Sequence, residues 1–268
     1  MNGLERIAAA FAGVRAQGRA ALMPYVTLGY PLRELSPAIV EAVAAGGADL
    51  IELGVPFSDP LADGPTIQRS TQIALEQGMS LAGCLEMVAG LRRRGISTPL
   101  MLMGYINPIL AYGVQRLTKD AAQAGADGLI VPDLPPEEAG ELEQACRENG
   151  LALVYLVPPT ASAERIRLIA ARSSGFLYLV SLTGVTGARH ELAPDLAGFI
   201  QRVRLVTQLP LAVGFGISNP EQARAVGSVA DGVIVGSALI DAIGKAADPV
   251  RAAGEFVRNL RQGLAVTR

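Results

Sequence analysis

Short apolar runs alternate along the whole chain with longer stretches in which apolar residues recur at helical spacing. Eight of the short runs are rich in Val, Ile and Leu and show little alternation with polar residues. They are predicted strands, at 22–28, 50–54, 100–105, 128–131, 152–157, 176–181, 211–214 and 232–235. Parallel strands that are buried on both faces have this composition. The pattern therefore predicts a chain of repeated βα units.

The stretches between the strands are predicted helices. One follows Pro135-Pro136 and ends before Gly150, a glycine placed as at the C-terminus of a helix. Its apolar face consists of Ala139, Leu142, Ala145 and Cys146. A further helix precedes the first strand, with an apolar stripe of Leu4, Ile7, Phe11 and Val14. We expect this extra helix to cover the bottom of a barrel.

A short motif recurs before three of the strands and supports repetition of one unit. Each copy ends in an aspartate, at Asp49, Asp127 and Asp231, where a helix stops tightly against the next strand. No Pro/Ser-rich linker or low-complexity tract divides the chain. Eight βα units in 268 residues favour an α/β fold, a single (β/α)8 TIM-barrel domain over 1–268 with an extra N-terminal helix. Residues 28–31 lack the G-x-G-x-x-G of a dinucleotide-binding sheet, which disfavours that fold.

Charge and hydropathy exclude several classes of partner. The formal charge is 23 − 25 = −2, so no basic field points to nucleic acid or to an acidic membrane surface. Half of the residues are hydrophobic and the mean hydropathy is +0.34, which favours a sizeable core over disorder. No run approaches 18 uninterrupted apolar residues, and the N-terminus is not typical of a signal peptide. We expect a cytoplasmic location, with no membrane contact.

Scarce residue types restrict the possible chemistry further. The only histidine is His190, and the two cysteines, Cys84 and Cys146, lie far apart. A zinc site, a Cys–His nucleophile and a disulfide framework are therefore disfavoured. The only lysines, Lys119 and Lys245, fall in predicted helices, which disfavours a lysine imine at a strand end. Acid–base chemistry is left mainly to carboxylates and tyrosines.

One loop, after the second strand, carries the best candidates for such chemistry. Glu52 lies inside an apolar strand, where an unpaired carboxylate is costly, so it is a candidate general acid–base of raised pKa. The alternative is a structural ion pair or an edge position. Asp63 lies at the far side of the loop; it would cap a helix only poorly, because Pro65 suits the first helical position and Gly64 the cap. Asp59 has the sequence context of a turn residue.

Glycines cluster after the last three strands, at 182–188, 214–218 and 236–238. In barrels the loops after strands seven and eight commonly bind phosphate through backbone N–H groups and a helix N-terminus. Segment 183–188 is also a plausible mobile lid. Five polar or aromatic residues fall at or near other strand ends: Tyr25, Tyr105, Asn107, Asp133 and Tyr178. Their tyrosine rings could line an apolar substrate pocket, although ordinary packing explains any one of them equally well.

The run from Glu52 to Gly64, ELGVPFSDPLADG, resembles the signature of the tryptophan synthase alpha chain family. The resemblance continues through 182–187, 214–218 and 236–237, and so covers nearly the whole chain. It implies a TIM barrel that cleaves indole-3-glycerol phosphate to indole and glyceraldehyde 3-phosphate. It also implies a complex with a beta chain, an α2β2 heterotetramer in which the beta chain holds pyridoxal phosphate and receives the indole through a tunnel. This chain itself would need no cofactor and no metal.

The resemblance also assigns roles to residues. Glu52 and Asp63 fall on the family's catalytic acids, and Asp59 on the region that faces the beta chain. The substrate-binding positions are Tyr25, Tyr105, Ile130, Tyr178 and Thr186. The phosphate-binding positions are Gly187, Phe215, Gly216, Gly236 and Ser237. Two residues depart from some family members, Leu182 in place of arginine and Tyr30 in place of aspartate.

The family reaction agrees with the scarce residue types. In a retro-aldol cleavage, Glu52 would protonate indole C3, and ionised Asp63 would stabilise charge at the indole N–H. Three alternatives remain: a stand-alone indole-releasing lyase, a non-catalytic activating subunit, and another phosphate-binding barrel such as an isomerase or a decarboxylating synthase. The last of these does not explain Glu52 and Asp63 together.

Overall fold

Parallel strands form the wall of a barrel in the computed structural model, which describes residues 1–180, 195–214 and 216–264. The strands are β1 (Ala21–Thr27), β2 (Ile51–Gly54), β3 (Leu100–Met103), β4 (Gly128–Ile130), β5 (Ala152–Val154), β6 (Leu156–Val157), β7 (Leu177–Val180), β8 (Leu211–Gly214) and β9 (Gly232–Val235). Their order is β5-β4-β3-β2-β1-β9-β8-β7-β6, and every pairing is parallel. The predicted barrel is confirmed.

The predicted strand 152–157 is divided into β5 and β6, which lie at the two ends of the sheet order. The break is at Tyr155, whose backbone N–H donates to the Ser173 hydroxyl over 3.2 Å instead of to a neighbouring strand. Its carbonyl still accepts from the Tyr178 N–H over 3.1 Å. Because β5 and β6 are parts of one continuous segment, this segment closes the sheet. The barrel therefore has eight strands when β5 and β6 are counted as one.

Helices surround the strands on the outside. Those in the described residues are α1 (Gly3–Ala16), α2 (Ser36–Ala45), α3 (Pro65–Glu76), α4 (Leu81–Arg93), α5 (Ile106–Tyr112), α6 (Val114–Ala124), α7 (Gly140–Glu148), α8 (Ala163–Arg172), α9 (Leu196–Arg204), α10 (Pro220–Gly227), α11 (Ser237–Lys245) and α12 (Pro249–Leu264). Over the described ranges, no helix is long and apolar enough to cross a membrane.

Two predicted boundaries need correction. The helix expected directly after Pro135 starts as a 3-10 turn, Pro136–Glu138, and the α-helix α7 begins only at Gly140. Its predicted apolar face is buried as expected. Predicted strand 100–105 ends early, because β3 stops at Met103 and Tyr105 instead precedes helix α5 as its N-cap residue. Tyr105 therefore belongs to a loop at the barrel mouth.

Helix α1 closes the N-terminal end of the barrel, as predicted. Its buried side chains Ile7, Phe11 and Val14 belong to one apolar cluster with inward-facing strand residues such as Met23. The rings of Phe11 and Phe176 lie 5.9 Å apart, at the start of β7. This end of the barrel is therefore filled with side chains, and any substrate must enter at the opposite end.

The three recurring aspartates fasten the same end. Each accepts a hydrogen bond from a backbone N–H near the start of an adjacent strand and pairs with an arginine: Asp49 with Leu22 and Arg19, Asp127 with Leu100 and Arg92, and Asp231 with Leu211 and Arg204. The motif is thus a structural repeat. It leaves the C-terminal ends of the strands free for chemistry, as in other barrels.

Candidate active site

Glu52 occupies the middle of the barrel wall. Strand β2 lies between β1 and β3, and Glu52 is in register with Tyr25 on one side and Met101 on the other. It shares a strand face with Leu50, which packs in the barrel interior, because alternate strand residues point to the same side. Its side chain is fully buried. Glu52 is therefore an interior residue near the barrel mouth.

Neither carboxyl oxygen of Glu52 has a hydrogen-bond partner among the residues that the structure describes. This contradicts the alternative of a structural ion pair within that part of the chain, and the central place of β2 contradicts an edge position. Burial raises the pKa of Glu52 to about 8. The group is therefore mainly protonated at neutral pH and can serve as a proton donor.

Asp63 is held at the barrel mouth by Tyr105. The Tyr105 hydroxyl donates to Asp63 Oδ2 over 3.0 Å and accepts from the backbone N–H of Ala62, also over 3.0 Å. Helix α3 has Gly64 as its N-cap and Pro65 as its first residue, with no capping side chain, so Asp63 does not cap it. Burial raises the pKa of Asp63 to about 6, against the opposing effect of the Tyr105 hydrogen bond. Asp63 is therefore mainly ionised at neutral pH.

Two further tyrosines face the same space. A Cβ added to Gly54 would collide with the phenol of Tyr25, and one added to Gly214 would lie 2.6 Å from the hydroxyl of Tyr178. These glycines are required because only a residue without a side chain lets each ring lie over the end of the adjacent strand. Burial raises the pKa of both phenols, and charges on Asp63 and Glu52 raise it further. The two acids and the two phenols thus lie close together at the barrel mouth, and the space among them is the candidate pocket.

The remaining predicted substrate position in the described residues is Ile130. It is fully buried in the interior cluster and lies in register with Met103 and Val154. The structure therefore gathers Glu52, Asp63, three tyrosines and one apolar side chain at the barrel mouth. Predicted position Thr186 falls outside the described residues, as do Leu182, His190 and the segment 183–188.

Part of the predicted phosphate site lies at the start of α11. Gly236 is the N-cap of this helix and Ser237 its first residue. A Cβ on Gly236 would lie 3.6 Å from the Cβ of Tyr25, so this helix N-terminus adjoins the pocket. Gly216, with φ +33°, follows β8. The positions Gly187 and Phe215 fall outside the described residues.

The tip of the loop between Glu52 and Asp63 is exposed. Asp59 is exposed and accepts a hydrogen bond from the Ser58 hydroxyl over 2.5 Å, while Leu61 is 91% exposed. Phe57, which the sequence did not single out, packs with its ring centroid 5.4 Å from that of Tyr105. Tyr30, one of the two departures from the family, is buried with its hydroxyl against Gly244 of α11. Among the described side chains, no group of three His, Cys, Asp or Glu residues could hold a metal ion.

Comparison with known proteins shows the family of this chain. The sequence profile described as "Tryptophan synthase alpha chain" matches residues 11–265. The chain belongs to this family. Among its relatives, the tryptophan synthase alpha chain of Roseiflexus sp. is 56% identical over 96% of this chain and all of the relative. That of Chloroflexus aggregans is 53% identical over 96% of this chain and 97% of the relative.

Solved structures of the family share the fold. Tryptophan synthase subunit alpha from Legionella pneumophila superposes with a TM-score of 0.90 at 41% identity, covering 98% of each chain. A chain of tryptophan synthase from Mycobacterium tuberculosis gives a TM-score of 0.91 at 38% identity, covering 97% of this chain and 98% of that one. The family resemblance and the TIM-barrel expectation are both confirmed.

The buried Glu52 carboxyl predicts a pH-dependent cost to stability. The folded pKa of about 8 lies above the ordinary value of 4.5, so the unfolded chain ionises first and stability falls between those two pH values. We expect Glu52→Gln to raise the free energy of unfolding relative to wild type, by about 3 kcal/mol at pH 7 and by much less near pH 5. Urea unfolding of both proteins across this range measures the difference.

The exposed Glu138 supplies the control. Glu138→Gln should leave the free energy of unfolding within about 0.5 kcal/mol of wild type at every pH. An advantage of Glu52→Gln that did not grow between pH 5 and pH 8 would contradict the raised pKa.

Proposed function

We propose that Glu52 and Asp63 carry out in this chain the reaction of its family. As a tryptophan synthase alpha chain, it is a carbon–carbon lyase that cleaves indole-3-glycerol phosphate in tryptophan biosynthesis. The observation that supports the assignment is the Glu52 carboxyl, which is fully buried inside the barrel and has no hydrogen-bond partner in the described part of the chain. A polar group in that position is costly unless a ligand uses it.

Protonated Glu52 delivers its proton to C3 of the indole ring. Protonation turns the ring into a cationic indolenine, which can accept the electron pair of the bond between C3 and the glycerol chain. As this bond breaks, the Glu52 carboxylate, or a water beside it, removes the proton of the adjacent side-chain hydroxyl. The products are indole and glyceraldehyde 3-phosphate. The hydroxyl proton, taken directly or through the water, restores the acid form of Glu52 for the next turnover.

Ionised Asp63 stabilises the positive charge that this step creates. The charge develops at the indole nitrogen, and a carboxylate that accepts a hydrogen bond from the indole N–H binds the charged state more tightly than the neutral ring. Tyr105 fixes the direction of the Asp63 carboxylate before substrate arrives. Two carboxyls in different surroundings thus take different roles, one as an acid and one as an anion.

The remaining residues bind the substrate. Tyr25, Tyr105, Ile130 and Tyr178, together with Thr186, contact the indole and the glycerol chain. The phosphate binds at the N-terminus of α11, through Gly236 and Ser237, with Gly187, Phe215 and Gly216 completing the site. The dipole of a nine-residue helix and the N–H groups of its first turn favour an anion at that point.

An alpha chain implies a beta-chain partner. The assembly that we propose is an α2β2 heterotetramer that receives the released indole, with pyridoxal phosphate in the beta chain. The exposed loop tip at Asp59 and Leu61 is the surface proposed to face that partner, because it joins Glu52 to Asp63. A single domain in the cytoplasm is the proposed setting, and two unpaired cysteines suit a reducing compartment.

Product analysis with indole-3-glycerol phosphate tests the function directly. The purified chain should release indole and glyceraldehyde 3-phosphate in equal amounts, and adding a beta chain should divert the indole to a further product. Indole that accumulates unchanged in the presence of a beta chain would favour a stand-alone lyase. Absence of indole under both conditions would contradict a catalytic role and favour an activating subunit.

Substitution of the two acids should affect the rate to different extents. Glu52→Gln should nearly abolish indole formation, because the amide cannot donate a proton to carbon. Asp63→Asn should lower kcat about 100- to 1,000-fold, the usual cost of losing one preorganised electrostatic contact. Steady-state assays of indole release measure both. The exposed control, Glu138→Gln, should turn over at the wild-type rate. Near-normal turnover of Glu52→Gln or Asp63→Asn would contradict the role of the residue that was changed.

The pH dependence of kcat/KM should have two limbs. Activity requires ionised Asp63 and protonated Glu52, so it should fall below about pH 6 and above about pH 8. In Asp63→Asn the acidic limb should disappear while the alkaline limb stays, because only Glu52 still titrates. Rates measured from pH 5 to pH 9.5 check this expectation, and an alkaline limb lost together with the acidic one would contradict the separate assignments.

A further inference from the structure

Two side chains join three successive loops at the barrel mouth. Tyr105, after β3, fastens the loop after β2 through its hydrogen bonds to Ala62 and Asp63. Asp133, after β4, fastens the loop after β3: its Oδ1 and Oδ2 accept from the backbone N–H of Ile106 over 3.0 and 3.3 Å. The contacts run in one direction around the barrel and end at Asp63.

Asp133 supplies what helix α5 lacks locally. Ile106 is the first residue of α5, and the N-cap residue, Tyr105, makes no side-chain capping bond. A carboxylate from another loop thus takes the place of a capping Ser or Asp, and its charge is favourable at a helix N-terminus. Since the Ile106 N–H belongs to the peptide group that follows Tyr105, this bond also fixes the backbone from which the Tyr105 side chain projects.

The Tyr105 side chain has little freedom of its own once that backbone is fixed. It is buried, and its ring packs against Phe57 on the loop after β2. Asp133 by contrast is exposed, and within the described part of the chain it makes no hydrogen bond to Glu52 or Asp63. Its influence on the carboxylate of Asp63 therefore passes through Tyr105. One route is the α5 N-terminus, which fixes the Tyr105 backbone. The other is its negative charge, which adds to burial and to Asp63 in raising the pKa of the Tyr105 phenol.

We propose that Asp133 is a positioning residue for Asp63, acting through the N-terminus of α5 and the hydroxyl of Tyr105. This inference rests on the proposed role of Asp63 as the anion that stabilises the cationic indole. A helix cap that served stability alone would affect unfolding but would leave turnover of the folded protein unchanged.

The test compares single and double variants of the full chain in the indole-release assay. Asp133→Ala should lower kcat about five-fold, the factor that a typical helix cap contributes if its loss is felt fully in the transition state. KM should stay within about two-fold of wild type, because the cap contacts no bound group. Asp133→Asn keeps an acceptor oxygen and should recover most of the rate.

A double-mutant cycle shows whether the effect passes through Tyr105. If it does, Asp133→Ala added to Tyr105→Phe should cost little more than Tyr105→Phe alone, because the link is already cut. Equal losses in the two backgrounds would overturn the proposal, as would an unchanged kcat in Asp133→Ala. A rate that Asp133→Asn failed to recover would contradict the capping geometry.

Asp248 offers a matched control. It is an exposed aspartate whose Oδ1 accepts from the Arg251 N–H over 3.0 Å at the start of α12, far along the chain from the loops of the site. Asp248→Ala should destabilise the protein to a similar degree while leaving kcat unchanged. Asp63→Asn, assayed in parallel, distinguishes two outcomes. Full turnover of Asp63→Asn would contradict the role of Asp63, whereas full turnover of Asp133→Ala alone would contradict only the positioning role of Asp133.

Discussion

The site depends on one energetic conflict, a carboxyl group buried in an apolar barrel with no hydrogen-bond partner among the described residues. Placing Glu52 on β2 between two hydrogen-bonded neighbours fixes its backbone and removes its side chain from water. Because no cation lies beside it in the described structure, the group avoids ionisation by keeping its proton at neutral pH. The fold thereby keeps Glu52 protonated at a pH where an exposed glutamate would be ionised.

The rest of the barrel makes this arrangement tolerable. At the N-terminal end, α1 and the arginine–aspartate pairs fill and fasten the structure, so that stability comes from residues remote from the pocket. At the C-terminal end, glycines in β2 and β8 give space to the rings of Tyr25 and Tyr178. Asp63 differs from Glu52, since Tyr105 donates a hydrogen bond to it, whereas Glu52 has no such bond within the described ranges.

The sequence was sufficient to predict the repeating architecture, and it also singles out Glu52 and Asp63 as candidates. Eight apolar runs predict eight barrel strands, and the apolar stripe of α1 predicts that this helix covers the N-terminal end of the barrel. Both predictions succeed because the periodicity of apolar residues indicates which side chains are buried. Glu52 stood out for the same reason, as a charge in an apolar run. The break at Tyr155 was not predictable, since it depends on a hydroxyl, Ser173, that only the folded chain brings near.

Contacts between loops likewise could not be predicted from local sequence patterns. The sequence pattern places Tyr105 at the end of a strand, and nothing in that pattern indicates that its hydroxyl meets Asp63, 42 positions earlier in the chain. The sequence marks Asp133 only as a polar residue near a strand end and gives no indication of its hydrogen bond to Ile106. Such contacts depend on which strands are neighbours in the barrel, and tertiary packing determines that order.

The protonation state of Glu52 can be observed without any substrate. Infrared difference spectra of wild type against Glu52→Gln, recorded over a pH titration, isolate the carbonyl stretch of this one carboxyl group. We expect a protonated-carboxyl band at neutral pH that is absent from the variant and is lost with a midpoint near pH 8. A band already lost near the ordinary pKa of 4.5 would show an ionised Glu52 and contradict the central claim.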